Sequence, residues 1–467
     1  MALQYDTPVS STEFTAALAA NPSISDTTVD AINSVLGLDS TESLVVAGWD
    51  GVGSVIAPVG QTPDVLAISV AGTTATTLDL PAGTEDTKVI VIDSDADVTL
   101  EIGDDAAASA RLLATDAVVQ GIAQVVVGGN GNDTLTVNGS TNVLLDGGNG
   151  NDTLTTGSGN DVIIAGTGTN TVDAGAGNDT IVTGLGTDTI DAGAGFDTID
   201  VDGVSTNFTP SVVGSTLVLT GAGVTSTITN AEFVTFADGK NLAIVGTEEE
   251  AEALSLYSAL LGRDADATGA ANFTAQVQAG TSLEDIANTF LTSGEHFSNL
   301  RDDFLTDVYS SLLGRAADAE GVATWQAQFE AGATRGEIIG AIAGSAEAAN
   351  VSDADFVSAL YESALGRDAE EAGLNNWVSL LASGTSRTEV ADSIYSSAES
   401  NTKINTDFVD SLFDNALGND ANELAKDFAV KALDAGAVTQ ADVVIAVVGQ
   451  PEAQDHITNV IVVPGAV

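Results

Sequence analysis

The sequence predicts a multidomain protein whose all-β part, a parallel coil of short strands with a flanking β domain, is followed by an all-α repeat domain. Three observations predict it. A nine-residue glycine- and aspartate-rich phrase recurs between Gly128 and Asp200; strand-like runs separated by Gly, Thr and Asp precede it; and a second repeat, stepping 52 residues at a time, fills the C-terminal half. The 467 residues allow about three domains of ordinary size.

Residues 1–50 read as an N-terminal helical segment. From Ser10 to Leu38, Phe14, Leu18, Val29, Ile32 and Val35 have helical spacing, with Ser11 or Ser25 as caps. Trp49, in Gly48-Trp49-Asp50-Gly51, is expected to be partly buried in a turn, since tryptophan is highly buried on average. Residues 51–127 read as a β domain, with strands at 65–70, 88–92 and 97–102, that gives the coil a hydrophobic starting cap.

Residues 128–200 carry the phrase. Units start at Gly128, Gly147, Thr156, Ala165, Ala174, Thr183 and Ala192, the last six without a break. The first half of each unit is a glycine-rich turn, where the backbone needs positive φ and close approach. The second half is a strand with one inward apolar position: Leu135, Leu154, Ile163, Val172, Ile181, Ile190 and Ile199. The sixth position is Asp133, Asp152, Asp161, Asp179, Asp188 or Asp197, with Asn170 the exception. Residues 137–146 form a degenerate ten-residue unit, read with Asn142 at the aspartate position and Leu144 inward, so a weakened or missing site is expected there.

This phrase resembles the nonapeptide of the RTX calcium-binding β-roll, in which two phrases make one coil. The resemblance implies that loops one coil apart share each of several calcium ions, with Asp133, Asp152, Asn170 and Asp188 along one edge and Asp161, Asp179 and Asp197 along the other. It adds as ligands the carbonyls of Gly129, Gly131, Gly148, Gly150, Gly157, Gly159, Gly166, Gly168, Gly175, Gly177, Gly184, Gly186, Gly193 and Gly195. Calcium takes six to eight hard oxygens, which carboxylates and turn carbonyls together supply. The amide oxygen of Asn170 is expected to ligate with less charge.

Charge supports this reading. The formal net charge is −55, Lys and Arg total only 12, and neither occurs from Leu112 to Gly239. Carboxylates in that stretch have no basic residue of their own segment to pair with, so self-repulsion opposes folding until divalent ions bind. The balance argues against nucleic-acid partners, while 44% hydrophobic residues separate the chain from a disordered acidic tail. Absence of cysteine removes disulfides and thiolate metal sites. The N-terminus lacks the basic and apolar regions of a cleaved signal, and no apolar run reaches the ~18 residues of a membrane span. No membrane insertion is expected, and either the protein stays inside the cell or its export signal lies elsewhere.

Residues 201–247 read as hairpins that close the roll. Residues 248–454 read as a helical domain of about four 52-residue units, with Leu-Gly-Arg at 261–263, 313–315 and 365–367 and Gly280, Gly332, Gly384 and Gly436 on the same step. Each unit is a helix ending at Leu-Gly, a polar turn, a helix bearing Phe273, Trp325 or Trp377, a glycine stop and a third helix ending near Ser-x-Glu. With Tyr257, Tyr309 and Tyr361 at matching places, this resembles the phycobilisome-linker-like helical domain of unknown function that accompanies RTX repeats in secreted bacterial proteins. Arg263, Arg315 and Arg367 form either a partner-binding row or, the preferred reading, caps and ion pairs at helix ends. Asp264, Asp266, Asp368 and Glu370 are read as helix caps in preference to a second class of calcium site.

No catalytic residue and no organic cofactor site is expected. His296 and His456 are the only histidines, neither within a His-Glu-x-x-His helix, and no Gly-x-Ser-x-Gly elbow occurs. The chain resembles bacterial surface-layer and matrix proteins exported by the type I secretion machinery, whose uncleaved signal would be residues 441–467; the competing reading of that segment is a final packed strand. The function this implies is an extracellular or cell-surface structural protein that folds on calcium and self-associates into a lattice or filament. A secreted adhesin recognising a cell surface or glycan is the alternative, ahead of an RTX enzyme or an intracellular linker.

Overall fold

The structure is a computed structural model that describes residues 8–19, 24–38, 43–58, 60–84, 87–103, 121–184, 186–221, 224–418 and 422–465. The chain divides into two compact units, one of residues 1–251, 266–272 and 459–467 and the other of residues 252–265 and 273–458.

The first unit is a two-sheet parallel solenoid. Successive strands alternate between the sheets, so two nine-residue phrases complete one coil. Val143–Asp146, Val162–Ile164, Thr180–Thr183 and Thr198–Val201 stack in one sheet, and Thr134–Val137, Thr153–Thr155, Thr171–Asp173 and Thr189–Asp191 in the other. The register aligns the inward aliphatics: Leu135 on Leu154, Leu154 on Val172 and Val172 on Ile190 in one sheet, Ile163 on Ile181 and Ile181 on Ile199 in the other. These columns face each other in a single core between the sheets, because a strand turns alternate side chains inward.

Glycine is required where turns stack. Gly168 has φ +123°, and a Cβ there would collide with the Gly150 carbonyl one coil earlier; Gly150, Gly177, Gly186 and Gly195 meet the preceding coil in the same way. The repeat is therefore spaced by backbone-to-backbone contact that any side chain would break.

The coil begins much earlier than the phrase does. Val46–Trp49, Val65–Val70, Val89–Ser94 and Gln124–Val127 are parallel rungs of the first sheet, and Thr76–Leu78 and Val98–Ile102 are rungs of the second. The β domain expected over 51–127 to run into the roll and cap it is thus the start of the same solenoid, without a boundary at 127/128. Trp49 is not in a turn either: it lies in the first rung, buried in the core, with its indole NH donating to the Gly53 carbonyl at 2.9 Å.

The two sheets differ on their outer faces. The helices Ser11–Ala19 and Asp26–Leu36 cover the first sheet as far as Val162–Ile164, burying Phe14, Leu18 and Ile32 against Val65, Val89, Val125, Val127 and Leu144. Ser25 caps the second helix by accepting from the Thr28 amide at 3.1 Å. Rungs under the helices read as unbroken apolar runs such as Val89-Ile90-Val91-Ile92, whereas the uncovered sheet alternates as Thr171-Val172-Asp173.

After Asp200 the coil takes two more parallel rungs, Val224–Thr229 and Phe233–Phe236, before antiparallel strands end it. Phe208–Val213 and Thr216–Gly221 finish one sheet, and Asn241–Val245 adds antiparallel to the other, which Val460–Val462 ends. The region 201–247, read as closing hairpins, therefore first extends the solenoid.

The second unit consists of helices in the expected 52-residue order. Gly294–Leu313, Ala319–Glu330 and Arg335–Ala343 form one repeat and Asp353–Leu365, Glu371–Ala382 and Arg387–Tyr395 another. Gly314 and Gly366 end their helices in the left-handed conformation, and Ser293, Ser352 and Ser397 cap the following long helices. Within 441–467, Gln440–Val448 is a helix of this unit with Val443, Val444, Val447 and Val448 buried. Val460–Val462 belongs to the first unit, as a parallel strand on Asn241–Val245.

Candidate calcium-binding rows

The stacking brings the sixth residues of the phrase into two rows, each residue 0 to 1% exposed. In the first row Asp133, Asp152, Asn170 and Asp188 follow one another; in the second, Asp161, Asp179 and Asp197. One oxygen of each side chain reaches back to the sixth-position amide of the preceding coil. Asp152 Oδ1 accepts from Asp133 N at 2.8 Å, Asn170 Oδ1 from Asp152 N at 2.9 Å and Asp188 Oδ1 from Asn170 N at 2.9 Å. Asp179 Oδ1 accepts from Asp161 N and Asp197 Oδ1 from Asp179 N, both at 2.7 Å. Both rows start on a valine amide, Val98 to Asp133 and Val143 to Asp161.

The other oxygen carries the chemistry. Oδ2 of Asp152, Asp161, Asp179, Asp188 and Asp197 is buried without a hydrogen-bond partner, a costly state for a carboxylate. Asp133 differs, since Gly129 N donates to its Oδ2 at 3.0 Å. Burial, as the largest cause, raises the carboxyls of Asp152, Asp179 and Asp197 to about 7 and that of Asp161 to about 6, and raises those of Asp133 and Asp188 as well. Neighbouring carboxylates add to the rise: Asp133 acts on Asp152, and Asp161 and Asp197 act on Asp179.

Turn carbonyls lie beside these rows. Those of Gly129, Gly148, Gly157 and Gly175 accept amides of the next coil, from Asn149, Thr167, Ala176 and Ala194, at 2.9 to 3.0 Å. A carbonyl has a second lone pair, so this does not exhaust it. Among the described residues no three carboxylates or imidazoles converge on one point, so an ion here must draw on main-chain oxygens as well. Unpartnered carboxylate oxygens beside stacked carbonyls fit a hard divalent cation.

Two expected positions are corrected. Asn170 spends its oxygen on the Asp152 amide, which fixes the flip of the amide and leaves Nδ2 buried and unpartnered where its neighbours present an oxygen. It therefore offers a donor to a cation and breaks the first row. In the degenerate unit, Leu145 pairs with Ile163 and lies in the inner core, while Leu144 faces the covering helices. Asn142 accordingly takes the fifth position and Val143 the sixth, so that unit brings no side-chain oxygen to the row. The extra residue is Val137, at the end of the Thr134–Val137 strand, which shifts any count made from the front of the unit.

Replacing Asn170 by Asp restores the missing oxygen without moving the backbone. Asn170→Asp is expected to bind one more ion, or to lower the calcium midpoint of folding roughly tenfold, the equivalent of about 1.4 kcal/mol; calorimetric titration showing wild-type count and affinity would contradict the assignment.

Sequence reasoning missed three further features. The fifth residue builds an outer ladder running the opposite way: Asn132 Oδ1 accepts from Asn151 N and Asn151 Oδ1 from Thr169 N, while Asn142, Asn160 and Asn178 do the same along the other edge, to Phe196. Its signal was the Asn that precedes Asp133, Asp152, Asp161 and Asp179. Asp146, pushed up to about 6 by burial, is held by Thr28 Oγ1 at 2.5 Å and by Gly148 N. Glu232 and Ser226 take the sixth position in the two rungs after the last phrase, accepting from Asp197 N at 2.7 Å and Asp188 N at 3.3 Å; no nonapeptide marks either. Burial raises Glu232 to about 7.

The helical arginines are committed inside their own unit. Arg263, Arg315 and Arg367 each fork onto a glutamate 32 residues on: Glu295, Glu347 and Glu399. Each also lies over a tyrosine ring, Tyr257, Tyr309 or Tyr361, at 4.8 to 5.0 Å. Asp266 and Asp318 cap helices through the Gly269 and Gly321 amides, and Glu370 pairs with Arg367. His296 is buried, with Nδ1 3.4 Å from the Leu260 carbonyl.

Residues 123–145, 146–181 and 164–199 match the family of RTX calcium-binding nonapeptide repeats, and residues 296–350 and 348–404 match a domain of unknown function, DUF4214. No curated protein and no solved structure matches the chain. Residues 123–199 of the solenoid are thus RTX calcium-binding repeats, which bind calcium ions.

Proposed function

We propose that this is a secreted, calcium-dependent structural protein of the cell surface or extracellular matrix, which folds when it meets external calcium and self-associates. The observation that carries the reading is the pair of buried rows, whose carboxylates have no protein cation among the described residues as a partner. Such a roll is suited to an exterior where calcium is abundant and to a cytoplasm where it is scarce, keeping the roll itself unfolded until export. RTX repeat proteins are typically secreted by type I systems, and among the described residues no helix is long and apolar enough to cross a membrane. Residues 441–467 are the segment proposed to address that machinery.

Self-association is supported by the helix Glu423–Asp434. Leu424 and Phe428, one turn apart, are 78% and 74% exposed, an apolar pair of the kind found in protein contacts. In the two preceding repeats the corresponding helix carries Trp325 or Trp377, each hydrogen-bonded to its repeat's tyrosine. The protein is expected in the medium or surface fraction by mass spectrometry, and purified protein in calcium is expected to form sheets or filaments by electron microscopy. A Leu424→Ser/Phe428→Ser variant should remain dispersed. Recovery from the cytoplasm alone contradicts secretion, and a wild type that stays monomeric at high concentration contradicts assembly.

A further inference from the structure

The two rows end differently. On the first, the rung after Asp188 offers the Ser226 hydroxyl; on the second, the rung after Asp197 offers the Glu232 carboxylate. Strand register puts Glu232 at the sixth position, since Thr198 pairs with Phe233 and Ile199 with Val234. Its Oε2 takes the Asp197 amide at 2.7 Å, the same length at which Asp197 takes the Asp179 amide and Asp179 that of Asp161. A side chain one methylene longer, 35 residues after Asp197 where the phrase steps by 18, thus makes the same contact as the phrase. Glu232 is 9% exposed, and Asp197 beside it is fully buried with Oδ2 unpartnered.

We infer that the second row continues one step beyond the nonapeptides, with Glu232 as a ligand of a further calcium site at the Asp197 step. Every sixth position of that row from Asp161 to Glu232 carries a carboxylate, whereas the first row is broken at Asn170 and ends at a hydroxyl. The end of the roll is therefore fastened on one edge by an ion and on the other by a hydrogen bond. That step joins the last phrase to the Phe233–Phe236 rung, where the antiparallel Asn241–Val245 strand begins to terminate the sheet.

The inference rests on the rows being calcium sites and not on the assembly proposed above. Glu232→Gln keeps an oxygen for the Asp197 amide but places an NH2 where the second oxygen was, as Asn170 does naturally. Full-length wild type and Glu232→Gln are compared with calcium as the probe, ions being counted by native mass spectrometry and affinities read by calorimetry, with circular dichroism reporting the fold. The variant is expected to fold and to hold one ion fewer, with residues 224–245 exchanging amide hydrogens at least tenfold faster at limiting calcium. Equal ion counts and affinities overturn the inference while leaving the calcium rows intact; a wild type that binds no calcium overturns the rows themselves. If Glu232→Gln does not reach the wild-type spectrum in calcium, Glu232→Ser, which copies the Ser226 end of the other row, is read in the same way.

Discussion

Removal of calcium at pH 8 is expected to unfold the roll while leaving the helical unit in place. Above their raised values the carboxyls of Asp152, Asp161, Asp179 and Asp197 are ionised, buried and side by side, with no cation from the described residues among them. An ion present at a thousand times its dissociation constant contributes about 4 kcal/mol, and a domain is stable by only about 5 to 15 kcal/mol in all. Loss of a few ions therefore exceeds what the aliphatic columns retain. The helical unit is held by its own core around Phe304, Leu360 and Ile338 and by arginine-glutamate pairs, none of which involves calcium. Circular dichroism with chelator should lose the β contribution and keep the helical minimum near 222 nm. A spectrum unchanged by chelation would sink the proposal that the ion is a folding component.

Acid is expected to act on this protein in two opposite ways. A carboxyl whose folded value is raised binds a proton more tightly in the folded chain than in the unfolded one, so its contribution favours the fold below the unfolded value of about 4 and is lost as pH rises through the folded value. For Asp152, Asp179, Asp197 and Glu232 that folded value is about 7, and for Asp161 about 6. The calcium-free roll should therefore gain stability from pH 8 down to about pH 5, as protons replace the missing counter-charge. Calcium affinity should move the other way, because an ion must displace those protons. Below about pH 6 the apparent calcium dissociation constant of the folded roll is expected to rise about tenfold per pH unit for each proton displaced by an ion. Calorimetric calcium affinities and calcium-free stabilities measured at pH 5, 6, 7 and 8 test both arms, and an affinity independent of pH would show that the row carboxyls titrate normally.

The solenoid lends itself to such switching because its ligands and its fold are one structure. A phrase supplies a glycine turn, a carboxylate and one inward aliphatic, and none of these packs until the next coil stacks on it. The outer asparagine ladder reaches forward along the coil while the carboxylates reach back. Neighbouring turns are thereby tied in both directions before any ion is considered.

The legible part of this protein was whatever repeats at short range. The nine-residue period revealed the two rows, the inward column from Leu135 to Ile199 and the glycine turns, because each depends only on alternation along a strand and on backbone geometry. The 52-residue period gave the helix order by the same logic of glycine stops and polar caps. The unbroken apolar runs at 65–70 and 88–92 also contained a readable signal, that both faces of that sheet are covered, though what covers them lies far away in sequence.

Tertiary structure decided everything that depends on which coil lies beside which. Val143, not Asn142, occupies the row because register follows pairing with Val162 and Ile163 and not a count from the front of an irregular unit. Asn170 lacks the second, unpartnered oxygen of its neighbours: its one oxygen meets an amide on the preceding coil, and Nδ2 stands where they present Oδ2. Glu232 joins the second row only because a parallel rung carries it there across 35 residues without a phrase. Sequence thus determined the repeating unit, its chemistry and its need for a counter-ion. Stacking, which sets distances between residues remote in sequence, determined which oxygens remain free to meet that ion.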